Sequence, residues 1–474
     1  MYHPSDSRRG FWLATLAVLP LFVWWLGWFP GFLSLDSVDQ LTQVETGEYE
    51  NDHPAAHTLT FWLITRLWDD PGAISLVQIV LLALVLALVC KRTIELGVPL
   101  PLAVGAAWLV SLLPAVGPTA ITLWKDVAFT IAFVWVLAEL LALAAQHTDY
   151  WANRSNPLRL GAALSLLWLF RHNGILTVLG VMAVLAWAYR HDLKGVAITM
   201  VSLLAIVAFV QGPVLWLFSV DRGQPVAAEV LIPVVASSFF HEPGNFSQDE
   251  RELLASIAPL DVWRDSYDCD SANPLLFDPQ MNIDTIRADP APFFRLGLRT
   301  TFRDLDTSLG LLWCRSSFLF QPGQPTSTYL ERPPFQIHEN DLGIARDPVW
   351  SAAYDFTFDI FAATESRSWL WLTWRPAVVT WLTIATFGLL AWRRQWGLLV
   401  PGSLIGIHLV NVATSSLNHE FRFAFPLYVA GVMCLPLLWF AVFPEPLPRS
   451  VNRFVSHRRS FSNPDVTAIR GRER

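Results

Sequence analysis

Apolar runs of close to 20 residues recur along the whole chain, and this feature limits the possible folds more than any other. The 474 residues are 53% hydrophobic and only 15% charged, and they include 23 Trp and 31 Phe. Soluble domains carry about 25% charged residues. A run of about 20 apolar residues can cross a bilayer as a helix, whereas the strands of a membrane barrel would alternate over about ten residues. The sequence therefore predicts an all-α polytopic membrane protein.

About ten transmembrane helices are expected from these runs. Arg8 and Arg9 precede the first run, and because further spans follow it, we interpret it as a retained anchor. The positive-inside rule then places every basic loop in the cytoplasm, so we expect a multi-pass protein of the cell (plasma) membrane with both termini cytoplasmic. The predicted spans are 11–30, 73–90, 100–118, 122–145, 160–170, 174–189, 196–218, 369–392, 398–416 and 423–443.

Composition divides the chain into four parts. They are an N-terminal transmembrane module (1–218) with its first external loop (31–72), an external soluble domain (219–368), C-terminal transmembrane helices (369–443) and a basic cytoplasmic tail (444–474). The external domain has 22 acidic side chains, 11 arginines and no lysine, and this net charge of −11 argues against a nucleic-acid partner. Cys269 and Cys314 lie in this domain, where an oxidising compartment permits a disulfide, but the sequence does not show whether they meet.

Ionisable residues gather at the membrane face that this topology places outside. Asp36 and Asp39 follow the first span and, being three residues apart, share one face of a helix. Lys125 is unusual because the other two lysines, Lys91 and Lys194, lie at cytoplasmic ends. Ionisable groups at this depth are costly unless they line a polar cavity or do chemistry, so we expect one external pocket. The full set is Asp36, Asp39, His53, Lys125, Asp126, Arg171, His172, Asn173, His419, Glu420 and Arg422.

Each of these features also has an ordinary structural explanation. Lys125 and Asp126 could form an ion pair at a helix start, and Arg171 and Arg422 could extend to lipid headgroups. The two aspartates after the first span could cap a helix, and the histidines of the first loop could be plain loop residues. The chain has no P-loop, GxGxxG or zinc spacing, so the usual signals of nucleotide and zinc chemistry are absent.

At these residues the chain resembles the GT-C superfamily of membrane glycosyltransferases, and most closely its bacterial branch related to protein O-mannosyltransferases and aminoarabinose transferases. Leu35-Asp36-Ser37-Val38-Asp39 is similar to the acidic motif of the family's first external loop, and Asp52-His53-Pro54 is similar to the polar element that follows it. Lys125 and Arg171 match the family's basic residues near outer helix ends. The likeness covers residues 1–218. The adjacent carboxylate pair of the protein mannosyltransferases is absent, so the choice of base and of any metal stays open.

This resemblance implies a GT-C-like fold and an inverting transfer of a sugar from a polyprenyl-phosphate lipid to a glycan, lipid or protein acceptor at the outer face. Asp36 and Asp39 would be the catalytic carboxylates, with Asp36 as general base. Lys125, Arg171 and Arg422 would bind the donor phosphate, because lysine and arginine suit phosphate oxygens and the departing charge. The expected substrate contacts are His53, Asp126, His172, Asn173, His419 and Glu420. An Mg²⁺ or Mn²⁺ ion is an option at Asp36, Asp39 and His53.

Two other functions stay open at this level. A transporter or flippase of a lipid-linked glycan would need charged groups through the membrane midplane and paired discontinuous helices. The sequence instead shows charge at one face and no internal repeat. A receptor or assembly factor would use the acidic external domain to bind a partner, and its function would not depend on Asp36.

Overall fold

A computed structural model describes residues 4–221, 230–323, 336–366 and 368–443, so the predicted tail at 444–474 lies outside the described residues. Within these ranges the chain is helical, and its extended pairings are isolated bridges. The helices of the first half are α1 (Pro4–Thr15), α2 (Val18–Gly27), α3 (Leu35–Thr46), α4 (Ala55–Thr65), α5 (Pro71–Glu95), α6 (Leu100–Leu112), α7 (Val116–Ala120), α8 (Lys125–Ala152), α9 (Ser155–Phe170), α10 (Gly174–Ala188), α11 (Leu193–Phe209) and α12 (Leu215–Leu217).

The second half continues the helical pattern with shorter elements. They are α13 (Ile232–His241), α14 (Gln248–Ile257), α15 (Leu260–Asp265), α16 (Asn273–Leu276), α17 (Ile283–Ala288), α18 (Pro290–Arg303), α19 (Leu305–Ser316), α20 (Ser351–Thr364), α21 (Ala377–Trp392), α22 (Leu399–Ser415), α23 (Phe421–Cys434) and α24 (Trp439–Val442). Tighter 3-10 turns lie at Pro243–Asn245, Ser317–Leu319, Trp396–Leu398 and Leu435–Leu438, and a π-helical turn that contains Pro213 lies at Val210–Val214.

Six helical segments in the described ranges are long and apolar enough to cross a membrane. They are Ser5–Gly27, Pro71–Glu95, Lys125–Gln146, Leu193–Leu217, Trp396–Ser415 and Phe421–Val442. Shorter apolar helices accompany them at Leu100–Leu112, Gly174–Ala188, Ile232–His241 and Ala377–Trp392. The chain is therefore a multi-pass α-helical membrane protein, and the predicted all-α polytopic class is confirmed.

The run predicted as one span at 100–118 is divided in the structure. Helix α6 ends at Leu112, two residues before Pro114, and α7 follows as a separate short helix. Proline has no backbone N–H to donate, which favours a break at this position. At 1.5 Å per residue, α6 is about 20 Å long, which is less than the roughly 30 Å of a bilayer core.

One hydrophobic core joins the N-terminal and C-terminal membrane helices. Helix α8 lies against α5, α9 and α23, and α10 lies against α22. Leu137 of α8 and Val429 of α23 are both fully buried in this core. The helices after residue 368 therefore complete the bundle that the first 218 residues begin.

Only the first part of the segment between the two groups of membrane helices has a hydrophobic core of its own. Residues of α13 to α18 surround Trp263 and form a separate apolar cluster. After α19, Phe318 and Leu319 enter the core of the membrane bundle, and α20 packs on α2, where Trp28 Nε1 donates to Thr357 Oγ1 at 2.8 Å. A disulfide joins Cys269 to Cys314, which answers the question that the sequence left open.

Candidate functional site

Two short backbone segments lie side by side at one end of the bundle, directly before α3 and α8. Phe32 N donates to Ile121 O at 3.2 Å, and Leu123 N donates to Phe32 O at 3.0 Å, which forms a parallel bridge. Gly31 permits this approach, because it has a φ of +123° and a Cβ at this position would lie 2.4 Å from Ile121 O. The pairing places the N-termini of α3 and α8 next to each other.

Local capping then fixes the two residues that begin the site. Ser34 is the N-cap of α3 and forms a capping box with Ser37, whose hydroxyl also donates to Leu123 O at 2.9 Å. Asp36 therefore lies in the first turn of α3, where the helix dipole favours a carboxylate. Lys125 is the first residue of α8, where the dipole disfavours a cation. A lysine at this position is best explained by anionic partners.

Three side chains from distant parts of the chain surround Asp36. Arg422 Nη1 donates to Asp36 Oδ2 at 2.9 Å, and Lys125 Nζ lies 3.9 Å from the same oxygen. His53 Nε2 lies 4.0 Å from Asp36 Oδ1. The four side chains are between 15% and 32% exposed, so the cluster opens to solvent. We call Asp36, His53, Lys125 and Arg422 the Asp36 cluster.

The hydrogen bond between Lys125 and His53 determines the form of the imidazole. Lys125 Nζ lies 2.7 Å from His53 Nδ1. An ammonium group only donates, so Nδ1 must accept and the ring is neutral, with its proton on the Nε2 that faces Asp36. Within the described residues the Lys125 ammonium makes no second hydrogen bond. It therefore retains donors for an anionic ligand.

Arg422 is held on several sides at the start of α23. Its Nε donates to Glu420 Oε2, and its guanidinium lies 5.0 Å from the centroid of the Trp124 ring and 5.2 Å from that of Phe423. Such contacts fix the plane of a guanidinium through its charge and through the ring faces. Arg422 is thereby oriented toward Asp36 by groups that are themselves largely buried.

The charges of the cluster act on the pKa values of Asp36 and His53. Burial alone would raise the pKa of Asp36, but Arg422, Lys125 and His53 outweigh burial and lower this pKa from 3.8 to about 2. Burial and the Lys125 charge lower the pKa of His53 below its ordinary 6.5, although Asp36 acts in the opposite direction. At neutral pH the cluster therefore contains an ionised carboxylate and a neutral imidazole.

The lowered pKa of His53 predicts a pH-dependent stability. Above pH 6.5 the ring is neutral in the folded and the unfolded chain. As the pH falls below 6.5, the unfolded chain binds a proton that the folded chain does not bind, so the free energy of unfolding decreases. When the pH is lowered through 6.5, we expect the Tm of the wild type in nanodiscs to fall more than the Tm of His53→Gln. His191→Gln controls for the loss of a histidine, and a Tm difference that does not change with pH would contradict the assignment.

Arg171 and Asp126 form an ion pair next to the cluster. Arg171 Nη1 donates to Asp126 Oδ1 at 2.5 Å, Asp126 is fully buried and Arg171 is 9% exposed. The Arg171 guanidinium lies 4.9 Å from the centroid of Phe423, a ring that Arg422 also contacts. This pair gives Arg171 a structural role, and its predicted role in phosphate binding stays a prediction.

The remaining polar residues predicted for the site make contacts away from Asp36. Asp39 Oδ2 accepts from Gln43 Nε2 at 2.9 Å on the same helix, which leaves Asp36 as the carboxylate that meets the cations. His172 Nε2 lies 3.1 Å from Asn51 O in the first loop. Asn173 Nδ2 donates to Ser415 Oγ at 2.9 Å, and Asn173 O accepts from Asn411. Asn173 thus joins α10 to α22.

The segment before α23 connects the Asp36 cluster to the disulfide. His419 is fully buried, with Nε2 2.8 Å from Cys314 O and 3.6 Å from Asp270 Oδ1. Asn418 Nδ2 donates to Glu420 Oε1 at 2.8 Å, and Asn418 Oδ1 accepts from Ala272 N at 2.9 Å. A continuous series of contacts therefore runs from the loop closed by the disulfide to Asp36 through Asn418, Glu420 and Arg422.

Asn418→Ala is expected to weaken the site and the fold together. Asn418 also accepts from Ser271 and donates to Asn273, so alanine would leave several buried groups without partners. Each such group costs about 1–3 kcal/mol. We expect a lower Tm in nanodiscs. We also expect Glu420 to be less firmly positioned for its hydrogen bond with Arg422. Asn340→Ala is the control, because Asn340 is only half-buried and its hydrogen bonds stay within residues 338–344. An unchanged Tm in Asn418→Ala would contradict this series of contacts.

The residues around Asp36 do not fit a divalent cation. Asp36 is already paired with two cationic side chains, and Asp39 turns toward Gln43. A divalent cation prefers several oxygen ligands, and two neighbouring cations would oppose it. Among the described residues, one group of side chains is close enough together to hold a metal ion, and it consists of Cys269, Asp270 and Cys314. The sulfurs of its two cysteines are joined in the disulfide.

Sequence reasoning missed two residues that shape the site. Trp124 lies under the Arg422 guanidinium, and its position directly before Lys125 is a usable sequence signal. Asn418 precedes His419 and Glu420, but its contacts with the loop at 271–273 depend on the disulfide region and have no local sequence signal.

Comparison with known proteins adds one finding. Residues 68–276, which are less than half of the chain, match a family model described as a family of unknown function (DUF6020). The matched range includes Lys125 and Arg171 but not Asp36, His53 or Arg422. No curated protein and no solved structure matches the chain.

Proposed function

We propose that this protein is a membrane glycosyltransferase that moves a sugar from a polyprenyl-phosphate donor to an acceptor at the outer membrane face. The observation that carries the proposal is the Asp36 cluster. One carboxylate and two cations, from α3, α8 and α23, meet in a partly exposed position at one end of a membrane bundle. A carboxylate beside cations suits a reaction in which a hydroxyl loses a proton and a phosphate leaves.

The proposed topology is GT-C-like. About ten helices would span the plasma membrane, and both termini would lie in the cytoplasm. Helical segments lie at each of the ten predicted runs. Three of the shorter apolar helices, Leu100–Leu112, Gly174–Ala188 and Ala377–Trp392, together with α9, would supply the additional spans. This orientation puts the Asp36 cluster outside. The disulfide Cys269–Cys314 supports the orientation, because it lies next to His419 at the same end of the bundle and disulfides persist in oxidising compartments.

The donor phosphate would bind where cationic groups have capacity for it. Lys125 retains N–H donors, and the N-termini of α3 and α8 add positive partial charge. A phosphate that binds Lys125 and Arg422 competes with Asp36 for both cations. This competition would raise the pKa of Asp36 above about 2, in the same direction as burial, and make its carboxylate a better base.

The proposed reaction is a single displacement. The acceptor oxygen attacks the anomeric carbon and forms the new glycosidic bond while its proton passes to an oxygen of Asp36. The bond from the anomeric carbon to the phosphate oxygen breaks, and its electron pair leaves with the polyprenyl phosphate. Lys125 and Arg422 stabilise that charge, and the configuration at the anomeric carbon inverts. A positioned general base of this kind contributes about 10²–10⁴-fold.

The proposal is tested with purified protein in nanodiscs and a panel of radiolabelled polyprenyl-phosphate hexoses and pentoses, with a cell-envelope extract as acceptor. We expect one donor to be consumed, with release of polyprenyl phosphate and covalent transfer of label. No consumption of any donor would count against a transferase. Movement of intact donor across liposomes without covalent change would support the flippase alternative instead.

A further inference from the structure

Helices α18 and α19 carry six large apolar side chains on their outer side. They recur every four residues on each helix, so each set of three lies along one helix face. Each side chain is between 41% and 77% exposed. We call this set the outer apolar stripe, and it consists of Phe294, Leu298, Phe302, Leu305, Leu309 and Trp313.

The fold of this part of the chain does not require the stripe. The opposite face of α18 already supplies the core of its own domain, where Phe293 and Leu296 are buried and Gly297 lies against Leu231. Helix α18 is therefore apolar on two faces, one of them inside the domain and one outside. Rows of large, exposed apolar side chains that the fold does not need mark a site of interaction with a protein or a membrane.

The stripe continues into the exposed apolar side of a membrane helix. Trp313 stacks on Phe320 with ring centroids 6.1 Å apart, and Phe320 contacts Trp381 of α21 at 6.0 Å. Trp381 Nε1 also donates to Phe320 O at 2.8 Å, and half of the Trp381 surface is exposed. Helix α19 packs in addition against α22, which lies within a segment long enough to cross the bilayer. The stripe is thus joined, through Phe320 and Trp381, to the exposed apolar side of α21.

The polar residues beside the stripe also fit a lipid interface. Arg295, Arg299 and Arg303 each follow a stripe residue of α18 by one position. Arg299 and Arg303 turn to Glu250 at 3.1 and 3.3 Å, on the domain side. Aromatic side chains beside arginines are typical of helices that lie at the boundary of headgroups and acyl chains.

We propose that the outer apolar stripe is embedded in the outer leaflet of the bilayer, at the boundary of headgroups and acyl chains. Helices α18 and α19 then form an interfacial support that holds the domain of α13 to α18 against the membrane. The partner is the lipid surface. This inference does not depend on the proposed transferase activity, because it concerns a different surface and its test measures no reaction.

The test uses the full chain in phosphatidylcholine nanodiscs, with an environment-sensitive fluorophore on one introduced cysteine. Leu309→Cys and Leu298→Cys report on the two helices, and Ser256→Cys on the polar helix α14 is the control. Non-reducing buffer keeps the disulfide closed, and Cys90 and Cys434 are buried. Because the side chains at all three positions are exposed, the fluorophore can be attached without a change of the fold.

We expect spin-labelled lipid with a shallow nitroxide to quench the labels at 309 and 298 about twofold, with little effect at 256, as for side chains at the interface. Aqueous iodide should show the opposite order. Equal quenching by iodide at all three positions would overturn the proposal, since the stripe would then be in water. A blue-shifted label that the nitroxide does not quench, with a shift that depends on protein concentration, would also overturn it, because a second copy would cover the stripe.

Discussion

Asp36→Asn is expected to lower the rate of sugar transfer about 10²–10⁴-fold, the range that a positioned general base contributes. The carboxamide keeps the shape of the side chain and can still accept a hydrogen bond from Arg422, but it cannot take the proton of the acceptor. Donor binding should change less than the rate, because Lys125 and Arg422 both remain. The measurement is single-turnover transfer with saturating donor in nanodiscs, together with Tm.

Two other acids on α3 sharpen this result. Glu45→Gln removes an exposed carboxylate of the same helix and should leave the rate unchanged. Asp39→Asn tests the second predicted catalytic carboxylate, which contacts Gln43 and not the cations. If Asp36→Asn retains the wild-type rate with a donor that the wild type consumes, Asp36 is not the base. If Asp39→Asn loses the rate instead, the roles of the two acids must be exchanged.

The sequence predicted the class of this protein from a property of single residues. Length and hydropathy are sufficient to place helices such as α5 and α8, because a bilayer requires about 20 apolar residues whatever the neighbouring helices are. Hydropathy does not show the break at 100–118, where the run is apolar throughout and Pro114 nevertheless separates α6 from α7. Hydropathy gives no information about the backbone hydrogen bonds that determine where a helix breaks.

The site was predicted less completely, for a physical reason that particular residues show. An unusual charge at a membrane face is visible in the sequence, and Asp36, Lys125 and Arg422 were identified in this way. Their relative positions depend on the backbone pairing of Phe32 with residues 121–123, and on the contacts of Asn418 across about 145 residues of chain. Any residue can form a backbone bridge, so side-chain patterns give no indication of either contact.

Arg171→Met is expected to reduce the free energy of unfolding by about 3–5 kcal/mol, because it leaves the fully buried carboxylate of Asp126 without its cation. The double variant Asp126→Leu with Arg171→Met removes both charges and should recover most of this loss, since apolar residues of similar size often replace a buried pair at little cost. Reversible unfolding in bicelles measures both. Arg264→Met breaks an exposed pair with Asp265 and is the control without an expected effect.

The double variant also separates the structural role of Arg171 from the predicted binding of phosphate. If Arg171 only balances Asp126, the double variant folds and its KM for the donor stays near the wild-type value. If Arg171 also contacts the donor phosphate, the fold recovers while KM remains high, because no cation replaces the lost guanidinium. A single variant cannot make this distinction, since unfolding and loss of binding both reduce transfer. A change of less than about 1 kcal/mol in Arg171→Met would show that the pair does not stabilise the fold as a buried ion pair does.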